Sequence, residues 1–188
     1  MQNPVFIGGS AGSFRIISNL VSALPKQYSF PIIICVHRLR SVAEGFVQSL
    51  ENSVRGTIKE AEHGEPVKPG IIYVAPADRH LEISSDHCFS LTTAPPINFS
   101  RPSIDITFAS AASRYGTAVT GIILTGANTD GTNGMREIYL AGGITIVQDP
   151  AEAEIVTMPQ AVLNNFTPDH ILSAAQIIDY IVQMATSV

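Results

Sequence analysis

Val5-Phe6-Ile7-Gly8-Gly9-Ser10-Ala11-Gly12-Ser13 decides the fold. A short apolar run ends in a turn of small residues, and a helical pattern follows at once. That pattern carries Phe14, Ile17, Leu20, Val21 and Leu24 before Pro25 stops it. The unit is a strand feeding a helix through a glycine turn, and the same alternation continues outward. Pro31 to Val36 is an unbroken apolar, β-branched run, as expected of a strand covered on both faces. Ser41-Val42-Ala43-Glu44 has capping-box spacing ahead of Phe46, Val47, Leu50 and Val54 on one helical face. Ser100 as N-cap, with Pro102 near the first turn, opens a helix whose buried stripe is Ile104, Phe108, Ala111, Ala112 and Tyr115. Val119 to Leu124 and Ile144 to Val147 predict two further strands, with a helix around Met135, Ile138 and Tyr139 between them. A last amphipathic helix is expected after Asp169, burying Ile171, Leu172, Ala175, Ile178 and Val182. Short alternating runs punctuated by Pro66, Pro69, Gly70 and Pro76 predict a β-hairpin insertion near residues 57–92, standing beside the main sheet. The expected class is α/β: a doubly wound, mostly parallel sheet with helices on both faces.

Composition bounds the rest. At 188 residues the chain is expected to form one domain, 1–188. Hydrophobic residues make up 45% and charged residues 14%, the balance of a well-buried core rather than of disorder. The 11 basic and 16 acidic residues leave a net charge of −5, which argues against nucleic acid as a partner. The run Pro31 to Val36 falls far short of the roughly 20 residues of a membrane-spanning helix, so no membrane insertion is expected. Met1 leads to Val5 without a basic segment or cleavage site, and Cys35 and Cys88 read as reduced thiols. A soluble cytoplasmic domain is the expectation, and the sequence pattern specifies no oligomeric state.

In open α/β sheets the site lies at the carboxyl ends of the strands. There the chain offers Ser10 after its first strand, His37 after its second and Asp130 in the loop after Val119 to Leu124. Gly8-x-Ser10-x-Gly12 has the spacing of a nucleophile elbow, in which the flanking positions are too crowded for a Cβ. A serine hydroxyl needs an adjacent imidazole to take its proton, and His37 is the natural base. A carboxylate fixing the far ring nitrogen would complete a triad. Spacing alone leaves Asp130, Asp149 and Asp105 all open for that role, and Ser10 open to a plain N-cap role. The order Ser, His, Asp differs from that of the α/β-hydrolases. The first loop matches neither glycine-rich nucleotide-binding pattern, so a nucleotide-binding domain is a distant alternative. His63, His80, His87 and His170 have no recognised ligand spacing, so no metal is expected.

Several segments together resemble the catalytic domain of the CheB-type chemotaxis protein-glutamate methylesterases. They are Ile7-Gly8-Gly9-Ser10-Ala11-Gly12, Val36-His37, Tyr73 through Leu81, Arg101-Pro102-Ser103-Ile104-Asp105 and Leu124 through Gly131, continued by Gly142-Gly143, Gln148-Asp149 and Met158-Pro159. The resemblance implies hydrolysis of γ-glutamyl methyl esters on the cytoplasmic helices of methyl-accepting chemoreceptors, with methanol released, and deamidation of selected glutamines. It implies Ser10 as nucleophile, His37 as general base and Asp130 as orienting acid. It also implies backbone N–H groups of Ala11 and Ala127 at the oxyanion, and Arg79, His80, Arg101 and Ala127 around the substrate. No cofactor follows from it. Arg79 and Arg101 have a plainer reading as partners of Asp78 or Asp105. The chain departs from the family pattern at Ala11 and Ser13, where Ser-Thr-Gly-Gly is usual after the strand. It departs again at Ala127 and Asn128, where the loop usually reads Gly-Met-Gly-x-Asp. The regulatory receiver domain usual in the family is not expected within these residues. A second reading is a catalytically weak receptor-binding module with the same fold.

Overall fold

The apolar run Ile32–Val36 is a fully buried strand whose side chains divide between two cores, as a period of two requires. Ile32, Ile34 and Val36 join one core, and Ile33 and Cys35 join the other. The helices of the fold cover those two faces. The computed structural model describes residues 3–38 and 40–187, with backbone alone for 40–44. The capping-box spacing at Ser41 and Glu44 therefore falls on side chains outside those described.

In chain order the strands are β1 (Val5–Gly9), β2 (Ile32–Val36), β3 (Thr57–Glu60), β4 (Ile71–Val74), β5 (His80–Ile83), β6 (Phe89–Thr92), β7 (Thr120–Ile123), β8 (Ile144–Gln148) and β9 (His170–Leu172). The helices are α1 (Ser13–Ala23), α2 (Arg40–Glu51), α3 (Ile104–Tyr115), α4 (Thr132–Leu140), α5 (Thr157–Leu163) and α6 (Ala174–Thr186). Seven strands form one sheet in the order β3-β4-β2-β1-β7-β8-β9, every pair parallel. On one face α1 contributes Ile17, Leu20 and Val21, α2 contributes Leu50, and α6 contributes Ile177 and Ile181. On the other, α3 contributes Ile104 and Phe108, α4 Met135 and Ile138, and α5 Met158 and Val162. Among the described residues, no helix is long and apolar enough to cross a membrane.

The structure alters several expectations of detail. Of the segments read as a hairpin insertion, β5 and β6 are the antiparallel hairpin, whereas β3 and β4 pair in parallel within the main sheet. The N-cap of α3 is Ser103, whose Oγ accepts from Ile106 N, because Ser100 is held in a turn with Ile97 instead. The last helix begins at Ala174, behind a true capping box of Ser173 and Gln176. Residues 170–172 form β9 along the edge of β8, so Ile171 is exposed and the buried stripe is Ile177, Ile181 and Ala185. Phe14 and Tyr139, which belong to the helical patterns of α1 and α4, are both substantially exposed.

Candidate active site

Register levels the strand ends that matter. Gly9 lies opposite Val36 and Gly8 opposite Ile123, so the chain leaves β1, β2 and β7 at one height. The sheet also reverses its strand order between β1 and β7, the place where α/β sheets open a crevice. Ser10 and His37 leave β1 and β2 side by side, and His37 N donates to Gly9 O at 3.3 Å. Ser10 N donates to Thr125 O at 3.0 Å, joining the serine turn to the loop after β7. Thr125 ties that loop down further: its hydroxyl bonds Ala11 O and Ile155 O, each at 3.1 Å, and its N–H donates to Gln148 Oε1 at 2.8 Å.

Small residues are required here by space. A Cβ on Gly8 would lie 2.6 Å from Ile104 Cγ2, and one on Gly126 would lie 2.6 Å from Met158 Cε and 3.1 Å from Ser10 Cβ. The left-handed residue of the turn is Gly12, at φ 83°, which is the N-cap of α1. Ser10 itself is not left-handed, so the strained serine of an elbow is absent and the turn is resolved two residues later. No side chain caps α1, leaving its positive end open beside Ser10.

Asp130 is fully buried and accepts from His37 Nε2 at 2.8 Å. A carboxylate accepts only, so that ring nitrogen carries the proton and Nδ1 presents the lone pair. Asp130 also accepts from Ile104 N at 2.8 Å, Ser103 Oγ at 2.9 Å, Asp105 N at 3.0 Å and Gly131 N at 3.1 Å. Two of these donors are the first N–H groups of α3, so the carboxylate occupies that helix's N-terminus. Burial alone would raise its pKa; the His37 bond and the backbone donors outweigh burial and hold it below the ordinary range. Of the three aspartates left open by spacing, only Asp130 bonds His37 among the described residues. Asp105 accepts from Gly134 N at 2.8 Å and Asn133 Nδ2, and Asp149 closes a turn onto Ala151 N at 2.9 Å.

Ser10 and His37 line one cavity of about 570 Å³, with Gly12, Phe14, Arg38 and Phe46 among its walls. The N–H groups of Ala11 and Ala127 make no hydrogen bond among the described residues. A serine, a base of fixed tautomer, a buried carboxylate and open N–H donors can together perform acyl transfer. Among known proteins, the CheB methylesterase family profile matches residues 5–181. The chain belongs to this family.

A putative protein-glutamate methylesterase/protein-glutamine glutaminase of Leptospira interrogans is 40% identical over 96% of this chain and 93% of its own length. The protein-glutamate methylesterase/protein-glutamine glutaminase of Thermotoga maritima is 33% identical over 96% of this chain, and the Salmonella typhimurium one is 34% identical over 92%. The chain spans about half the length of these latter two, 53% and 50%. The crystal structure of the Thermotoga maritima CheB methylesterase catalytic domain superposes with a TM-score of 0.93 at 32% identity, covering 98% of this chain and 99% of that one.

Of the residues that the CheB resemblance sets around the substrate, Arg101 borders a cavity that His37 also lines, and His80, Arg79 and Ala127 do not. His80 is fully buried: Nδ1 accepts from Ser103 N at 3.2 Å and Nε2 donates to Pro95 O at 3.1 Å, so it holds Ser103, which in turn bonds Asp130. Arg101 bonds Asp78, Thr93 O and Ala94 O while bordering a second cavity of about 400 Å³, and Arg79 is exposed outside both cavities. Ala127 is exposed at the loop tip. The sequence reading places none of Ser103, Ser100 and Asn128 in the site. Ser100 Oγ and Asn128 Nδ2 each lie 3.5 Å from His37 Nδ1 and 3.2 Å from one another. Asn128 Oδ1 accepts from Asp130 N at 3.1 Å, which fixes the amide's orientation. The signal for Asn128 was present in the departure of this loop from the family pattern, which has glycine there. Ser103 could have been found as the residue directly before the apolar stripe of α3.

Proposed function

We propose that this chain is a serine-type protein-glutamate methylesterase and glutaminase acting on the cytoplasmic helices of methyl-accepting chemoreceptors, with Ser10, His37 and Asp130 as its triad. The observation that carries the reading is the 2.8 Å bond from His37 to Asp130, with His37 and Ser10 lining the same cavity. His37 Nδ1 takes the hydroxyl proton as Ser10 Oγ attacks the γ-carbonyl carbon of a glutamyl methyl ester. The oxyanion receives the free N–H group of Ala11, beside the positive end of α1, and that of Ala127 from the loop after β7. His37 then returns the proton to the departing methoxide, giving methanol and a glutamyl ester on Ser10. Water, deprotonated by His37, attacks that ester; the carboxylate leaves and Ser10 recovers its proton. On a glutamine side chain the same sequence releases ammonia. Asp130 stays ionised throughout and stabilises the imidazolium.

Methanol release from a methylated chemoreceptor fragment tests the reading. Ser10→Ala is expected to lower the rate by at least about a thousandfold. Release that survives the substitution would overturn the mechanism, and a folded native chain that releases none would overturn the activity.

A further inference from the structure

Residues 97–100 form a two-residue hairpin turn closed by two backbone bonds, Ile97 N to Ser100 O at 3.1 Å and Ser100 N to Ile97 O at 2.8 Å. Both central residues are left-handed, Asn98 at φ 49° and Phe99 at φ 61°. Glycine or asparagine suits that backbone; an aromatic residue at φ 61° is strained. Strain of this kind persists where something repays it. Burial does not, because Phe99 is fully exposed, at 104% relative accessibility. The next residue, Ser100, reaches His37 Nδ1, so the closed turn fixes the distance from the exposed ring to the base. Phe99 stands on the wall of the 400 Å³ cavity, which shares His37 and Arg38 with the 570 Å³ cavity holding Ser10. The two are one groove crossing the imidazole. At its far side Phe14, 43% exposed, packs edge-on against Phe46 with ring centroids 5.4 Å apart.

We infer that Phe99 is an anchor for the protein segment that carries the ester: it takes up an apolar side chain of the substrate helix beside the reacting glutamate and discriminates a protein-bound ester from a small one. This rests on the methylesterase reading. A glutamyl methyl ester side chain needs only the Ser10 side of the groove, so an exposed ring on the opposite side meets a substrate only if that substrate continues past His37. A ring excluded from water at the centre of such a contact is the kind that dominates protein recognition.

The experiment compares the native chain with Phe99→Gly and Phe99→Trp on two substrates, a methylated chemoreceptor fragment and p-nitrophenyl acetate. Phe99→Gly relieves the left-handed strain, so its Tm is expected to be equal to or above that of the native chain. Its kcat/KM on the receptor fragment is expected to fall about tenfold or more, mainly through KM. Its rate on the small ester is expected to change several-fold less. Phe99→Trp is expected to retain most of the receptor activity. Equal losses on both substrates, or no loss on the receptor, would overturn the anchor while leaving the methylesterase reading intact. Phe99-dependent self-association in sedimentation, without Phe99-dependent receptor turnover, would assign the ring to a contact between copies and overturn it as well. Absence of methanol release by the native chain would overturn both.

Discussion

Asp130 makes two demands of one carboxylate. It must stay ionised to hold His37, and it must do so without contact with water, a combination that burial opposes. Five donors meet that demand, and the result is a depressed pKa despite full burial. Its neighbour Asp105 shows the reverse, pushed up first by burial and further by the charge of Asp130. The signs differ accordingly. The stability that Asp130 supplies is fully present above the unfolded carboxylate pKa of about 3.9 and is lost as pH falls through its lower folded value. Asp105 opposes this: its contribution is present in acid and fades as pH rises through its raised value. Asp130→Asn is therefore expected to lower kcat by about 10⁴-fold, by analogy with other triads, and to flatten the loss of Tm as pH falls below about 4. Methanol release and a thermal-melt titration against the native chain check the two parts. A variant whose acid limb stays as steep as the native one would show that the charge of Asp130 is not what acid removes.

Elements meet at glycines chosen for space. Gly134 in α4 faces α3 so closely that an added Cβ would lie 2.6 Å from Phe108 Cβ, 2.9 Å from Asp105 O and 3.0 Å from Asp105 Cα. Backbone cannot give way as a side-chain end can, so Gly134→Ala is expected to destabilise by about 1–3 kcal/mol in a denaturant titration. It is expected to lower kcat as well, because α3 carries the N–H groups that hold Asp130. Gly126→Ala is the contrasting case. Its nearest obstacle is the flexible end of Met158, so it should cost less stability and act mainly through Ser10 Cβ at 3.1 Å. Elements were legible in the sequence where period and burial agreed. The β-branched run of β2 reads the same in sequence and structure because both its faces are covered. Residues 170–172 were read as helix because an edge strand of three residues buries too little to show alternation, and the helical pattern beyond it is strong. The α3 cap was misplaced by three residues because Ser100 and Ser103 both precede the apolar stripe, and only the turn at Ile97 decides between them.

Over the whole molecule, the site draws on strand ends far apart in sequence and adjacent in the sheet. Ser10 and His37 were legible because each directly follows an apolar strand. The choice of Asp130 over Asp105 and Asp149 was not, because it depends on how α3 presents its first N–H groups, a matter of packing between helix and loop. The donors around His37 Nδ1 were hidden for the same reason: Ser100 and Asn128 are 28 residues apart and meet only in the fold. The sheet also gives a global readout. Cys35 lies in β2, fully buried, with its thiol pushed up to about 12 by burial, whereas Cys88 is partly exposed on the hairpin. One thiol is expected to react with a disulfide reagent at once. The other should react only on global opening, with a rate that follows denaturant as unfolding does. Fast labelling of both would mean that β2 opens locally.

The double use of Asp130 has a consequence for how such a protein would decay. A lineage released from the proposed reaction could lose Ser10 without cost to its architecture, since that hydroxyl supports nothing else among the described residues. It could not lose Asp130 so freely, because the N-terminus of α3 would be left with an uncompensated positive end in the interior. The carboxylate would outlive the reaction. Among descendants that have become pseudoenzymes, a retained aspartate is therefore a record of folding, and the serine is the residue that tells whether chemistry continues.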